Sequence, residues 1–130
     1  MQNKITLITP PDFYENGNLS ILLIGMSDIE QDIVSQWLGK NDINRDINIY
    51  TYQGENNVEW FLYALGRSDF KYINLDNEDP ITNVMTSYIA SRPEVYYHSE
   101  NKDIVKLISY LNNNSVNNIE EFFERIFNDK

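Results

Sequence analysis

Residues 19–30 read Leu19-Ser20-Ile21-Leu22-Leu23-Ile24-Gly25-Met26-Ser27-Asp28-Ile29-Glu30. The first six are almost continuously apolar. That pattern suits a strand covered on both faces, as in the middle of a parallel sheet. Gly25-Met26-Ser27 then opens a helix, and Ser27 with Glu30 forms a capping box. Ile29, Ile33, Val34, Trp37 and Leu38 follow at helical spacing, with Gly39 placed to end the helix. A strand that turns directly into a capped helix is half of a βαβ unit, so this stretch predicts an α/β fold.

The rest of the chain repeats the alternation. Residues 5–9 (ITLIT) predict a strand stopped by Pro10-Pro11, followed by a loop carrying Phe13, Tyr14 and Gly17. Residues 47–52 (INIYTY) predict a third strand, turned by Gln53-Gly54-Glu55. Asn57 caps a helix with the stripe Val58, Phe61, Leu62 and Leu65, ended by Gly66. Residues 70–75 (FKYINL) predict a fourth strand. Asp79-Pro80 then starts a helix with Ile81, Val84, Met85, Tyr88 and Ile89 inward. Residues 94–98 (EVYYH) predict a fifth strand. Ser99 or Asn101 caps a helix with the stripe Ile104, Leu107, Ile108 and Leu111. Asn118 with Glu121 forms a second capping box before Ile119, Phe122, Phe123, Ile126 and Phe127. The expectation is one α/β domain over residues 1–130. It is a three-layer sandwich with a five-stranded, mostly parallel sheet and helices on both faces. The first strand is open: its nine-residue connection, 10–18, is short for a helical crossover. It is either an antiparallel edge strand or parallel with an irregular crossover.

Composition narrows the function. The chain has 130 residues, 10 Lys+Arg and 20 Asp+Glu, for a formal net charge of −10. It has no basic stripe, which argues against binding a nucleic-acid backbone. It has no Cys, hence no disulfide, thiolate metal site or thiol nucleophile. That fits a reducing compartment, and a cytoplasmic location is expected. No apolar run approaches the ~20 residues of a membrane span. Leu, Ile, Val and Phe number 38, well above the level of disordered chains. The charge of −10 reads as solubility or, more sharply, as an acidic decoy for a basic protein.

In an open α/β sheet, ligands sit beyond the carboxyl ends of the strands. The residues delivered there are Gly25, Met26, Ser27 and Asp28; Gln53, Gly54 and Glu55; Asp76, Asn77 and Asp79; and His98, Ser99 and Glu100. If the first strand is parallel, residues 11–14 join them. The candidate catalytic groups are Asp76, Glu55, His98 and Glu100. The candidate ligand-binding residues are Gly25, Ser27, Gly54, Asp76, Asn77, Phe13 and Tyr14. Each has a plainer role beside the chemical one. Gly25 and Ser27 either hold an anion on backbone N–H groups or make a turn and a cap. Asp76 and Asn77 either orient a hydroxylated ligand or complete a turn. His98, the only histidine, is either a lone acid–base group or a strand-end residue with no chemistry. It excludes a two-His metal site and a His relay, and no metal or cofactor is expected. Phe13 and Tyr14 either close over a pocket or cover the end of the core. Phe122, Phe123, Ile126 and Phe127 either pack on their own domain or form a homodimer seam.

Two architectures can be compared residue by residue. A response-regulator receiver domain needs an acidic pair after its first strand and a Lys after its last. Gly25-Met26-Ser27-Asp28 and His98-Ser99-Glu100 supply neither, so phosphotransfer is not expected. Residues 71–101 resemble the nucleoside 2-deoxyribosyltransferases, where a strand ending in Asp precedes a helix and a short Pro-led strand. Tyr72-Ile73-Asn74-Leu75-Asp76, Ser87-Tyr88-Ile89-Ala90 and Arg92-Pro93-Glu94-Val95-Tyr96 carry the resemblance. It implies a small nucleoside-like ligand, with Asp76 orienting ribose and Glu55 or Glu100 as the acid. That family places its Glu nucleophile where Met85 stands here, which implies a site that binds without reacting. The whole chain also resembles small uncharacterised proteins of tailed marine phages, and its 18 Asn and 16 Ile suit an AT-rich genome. The functional expectation is a non-catalytic binding or interaction protein with a crevice at the strand carboxyl ends. The alternatives are an N-glycosidic transfer enzyme and an acidic decoy.

Overall fold

The computed structural model describes residues 5–14, 17–40, 46–52, 57–76 and 92–128. The strands are β1 (Ile5–Ile8), β2 (Leu19–Ile24), β3 (Ile47–Tyr52), β4 (Phe70–Asn74) and β5 (Val95–His98). The helices are α1 (Asp28–Lys40), α2 (Val58–Arg67), α3 (Lys102–Ile108) and α4 (Ile119–Asn128). The strands form one sheet in the order β1-β3-β2-β4-β5, and every pairing is parallel. The expected helix after Asp79-Pro80 lies outside the described residues, as do Gly54, Glu55 and Asn77.

The alternation of side chains along the strands builds two cores. On one face Leu22, Ile24, Tyr50, Tyr52, Ile73, Val95 and Tyr97 meet α2 through Trp60, Phe61, Ala64 and Leu65, with Val105 and Ile108 of α3 packed alongside. On the other, Ile21, Leu23, Ile47, Ile49 and Tyr72 meet α1 through Val34 and Trp37, and α4 through Ile119, Phe122 and Phe123. The result is the expected three-layer sandwich. β2, central in the order, is fully buried from Ile21 to Ile24, as its continuous apolar run requires.

β1 resolves the open question of direction: it runs parallel to β3, pairing Ile5 with Ile47 and Ile8 with Tyr50. The described residues 9–14 that follow it lie against α2 and form no helix. Trp60 Nε1 donates to Asp12 O at 2.7 Å and Tyr50 Oη to Tyr14 O at 2.8 Å, so two buried polar groups tie them down. This segment also explains why α2 turns Trp60 and Ala64 inward and leaves Val58 and Leu62 exposed. The edge of β5 is covered by residues 114–116, through Tyr97 N–H to Asn114 O (3.1 Å) and Val116 N–H to Tyr97 O (2.9 Å). Asn112 supports that turn. Its side-chain amide donates to Arg92 O and Val95 O, while its backbone carbonyl accepts Tyr97 Oη at 2.7 Å.

The expected stripes of three helices need correction: Ile29 of α1 and Val58 and Leu62 of α2 are exposed, not inward. The stripe of α3 is phased differently: Val105 and Ile108 face the core, and Leu107 and Leu111 are about 70% exposed. The Asn101 cap, accepting from the N–H groups of Asp103 and Ile104, fixes where this seven-residue helix begins and hence its phase. Of the two readings of the last helix, packing on its own domain is the one seen at Phe122 and Phe123. Phe122 and Phe123 are fully buried against the sheet of their own chain. Phe127 stacks on Trp37 at 5.5 Å, and Ile126 packs against the same core. The apolar side of this amphipathic helix caps a face rich in aromatic rings, so Phe122 and Phe123 leave no surface for a second copy.

Candidate functional site

At the carboxyl rim the capping box forms as read. Ser27 N–H donates to Glu30 Oε1 at 2.9 Å, and Glu30 N–H to Ser27 Oγ at 3.2 Å. Glu30 does more than cap. It is buried, and its carboxylate also accepts Asn74 Nδ2 at 2.6 Å and Tyr72 Oη at 2.5 Å. One carboxylate thus joins the start of α1 to the end of β4. Burial, then the Glu30 charge and hydrogen bond, hold the Tyr72 phenol well above its ordinary range.

The network continues along the rim. Asp76 N–H donates to Asn74 Oδ1 at 2.9 Å. The Asp76 carboxylate accepts Ser99 Oγ at 2.7 Å and Glu100 N–H at 2.8 Å. Ser99 Oγ in turn accepts Asn101 N–H at 3.0 Å. His98 Nε2 lies 3.2 Å from Glu100 Oε1, and its Nδ1 lies 3.0 Å from Val116 O, a contact that requires a proton on Nδ1. Asp76, His98 and Glu100 therefore gather in one place, because β4 and β5 are paired with Asn74 opposite His98. Gly25 adopts φ +70°, and its N–H bonds Tyr52 O at 2.9 Å, a turn that a side chain would strain. With Gly25 N–H on Tyr52 and Ser27 N–H on Glu30, both groups serve the turn and the cap. Glu30, Tyr72 and Asn74 were missed as rim residues. The capping-box spacing signalled Glu30, but nothing local signalled its cross-sheet partners.

Phe13 and Tyr14 lie elsewhere. Because the residues after β1 lie against α2, they do not join the carboxyl rim. They line an open cleft of about 510 Å³ near the amino-terminal ends of β2 and β4, with Ser20, Tyr50, Arg67 and Asp69 among its other walls. Phe13 stacks on Tyr50 at 4.7 Å and meets Tyr63 edge-on at 4.4 Å. The Arg67 guanidinium lies 3.7 Å over the Tyr63 ring. Asp69 and Ser20 are doubly bonded, Ser20 N–H to Asp69 Oδ2 at 2.9 Å and Asp69 N–H to Ser20 O at 2.7 Å. The sequence reading ended the helix at Gly66 and gave residues 67–69 no role, since the carboxyl-end rule does not attend to the opposite rim.

Also at the amino rim, Lys71 is buried and donates to Ser68 O at 2.8 Å, with Glu94 at 3.5 Å. Desolvation lowers the ammonium's pKa, against the raising effect of Glu94. Among the described residues no group of three or more His, Asp or Glu side chains is placed to hold a metal ion. No helix there is long and apolar enough to cross a membrane.

No protein-family model matches this chain, and no curated protein matches it.

Tyr72 gives the rim a pH signature. The folded phenol binds its proton more tightly than the unfolded one, whose pKa is ~10. Its stabilising contribution is complete below that value and is lost as pH rises above it. Tyr72→Phe is expected to flatten the alkaline loss of stability above pH ~10 while weakening the fold at neutral pH. Urea midpoints measured from neutral to alkaline pH check this. A variant whose alkaline slope matches the parent chain would refute it.

Proposed function

We propose that this chain is a cytoplasmic binding protein that takes a small nucleoside-like ligand at the carboxyl rim without turning it over. The supporting observation is how the rim carboxylates are used. Glu30 accepts three hydrogen bonds from its own chain, and Asp76 accepts two. Such groups hold the strand-end loops in place. A nucleophile or general acid must in addition lie within hydrogen-bond reach of the reacting atom. Asp76 is exposed, and its carboxylate still has lone pairs that can accept from a ligand hydroxyl. The resemblance of residues 71–101 to the deoxyribosyltransferases supports the nucleoside class, and Met85 at the nucleophile position supports binding without reaction.

Calorimetric titration with a panel of nucleosides and sugar nucleotides tests this reading. Saturable heat with at least one member, and intact ligand recovered afterwards, is the expected result. Silence across the panel would discard the binding reading, and release of free base would replace it with N-glycosidic transfer.

A further inference from the structure

The cleft at the amino rim plays no part in that reading, and its chemistry is different. We propose that it is a binding site for a small aromatic zwitterion, of which a free aromatic amino acid is the simplest member. Its volume, about 510 Å³, falls within the ~300–1,000 Å³ usual for small-molecule sites.

One wall is aromatic, and its Phe13 ring is already held in place. Phe13 is held between Tyr50 and Tyr63. Tyr14 is anchored through its backbone carbonyl by Tyr50 Oη, while its side chain stays exposed. This places aromatic surface beside a planar ligand ring with little ordering left to do on binding.

The other wall carries both signs of charge two residues apart. Arg67 lies on Tyr63, and its five N–H donors form a fork that matches a carboxylate alongside its other contacts. Asp69 is oriented by Ser20 N–H at Oδ2, and its Oδ1 takes no hydrogen bond among the described residues, so it can accept from an ammonium group. The chain's net charge decides between ligand classes. At −10 it repels a plain anion, while a plain cation would be drawn to acidic groups all over the surface. A ligand carrying both charges is selected only where a cation and an anion are set side by side against an aromatic wall.

Isothermal titration calorimetry of the full chain with L-tryptophan tests the proposal. N-acetyl-L-tryptophan, which lacks the ammonium, and tryptamine, which lacks the carboxylate, serve as the comparison ligands. L-tryptophan is expected to bind, and each comparison ligand to bind at least ~10-fold more weakly, the loss of one charge-assisted contact. Tyr14→Ala and Arg67→Gln are each expected to weaken L-tryptophan binding by ~10-fold or more with an unchanged thermal melt. Tyr14→Ala truncates an exposed ring, so folding does not confound it. Amide shift perturbations are expected at residues 13, 14, 17–20 and 67–69. No binding at millimolar L-tryptophan, equal binding of all three ligands, or perturbations centred on residues 74–76 and 98–100 would each overturn the proposal. None of those results bears on nucleoside binding at the other rim, so the two readings fail separately.

Discussion

Phe123→Ala is expected to lower the free energy of unfolding by about 3–5 kcal/mol. Phe123 is fully buried, with Trp37 stacked at 5.0 Å and Phe122 tilted against it at 5.2 Å. Truncation removes a whole ring from the seam between α1 and α4. The void that remains has rigid aromatic walls, which relax poorly, so the cavity term adds to the transfer term. Urea unfolding with an unchanged m-value measures the loss. The effect should not depend on protein concentration, because the contacts lie within one chain. A concentration-dependent midpoint, or a loss below ~1 kcal/mol, would place α4 in an intermolecular seam instead.

Glu30→Ala is the second large effect, at about 3–4 kcal/mol. The carboxylate accepts from Ser27 N–H, Asn74 Nδ2 and Tyr72 Oη. Removing it leaves the buried Tyr72 hydroxyl without its acceptor and takes the reciprocal bond from the α1 cap. Hydrogen bonds to charged acceptors are the stronger kind, and a stranded buried donor bears its full desolvation penalty. Glu30→Gln should cost only about 1 kcal/mol, since its carbonyl can serve the Ser27 and Asn74 donors and its amide can donate to Tyr72. Equal losses for Ala and Gln would mean that charge, not acceptor geometry, is what the rim needs. No loss in either would mean that the network contributes nothing.

These effects mark what the sequence makes legible. Strands and helices were readable because periodicity and capping are local. The apolar run at 19–24 and the S-D-I-E box each act within a few residues. Cross-sheet partnerships were not readable. Nothing near Glu30 announces Tyr72 or Asn74, more than forty positions away. The direction of β1 was undecidable because its connection is held by Trp60 and Tyr50, distant in sequence. The phase of α3 depended on which residue caps it, where Ser99 and Asn101 competed. Ser99 instead binds Asp76, and Asn101 takes the cap. The carboxyl-end rule did bring Asp76, His98 and Glu100 together, since parallel neighbours deliver their ends to one rim. It was silent on the cleft at the opposite end, which arises where the residues after β1 lie against α2.

The central claim is that Asp76 braces the carboxyl rim and does not react there. Asp76→Asn, assayed side by side for stability and for free base released from deoxynucleosides, tests it most directly. The account predicts a loss of about 1 kcal/mol, from weakened bonds to Ser99 and Glu100, with no base released by either protein. Base release by the parent chain that vanishes in the variant, with stability unchanged, would contradict it.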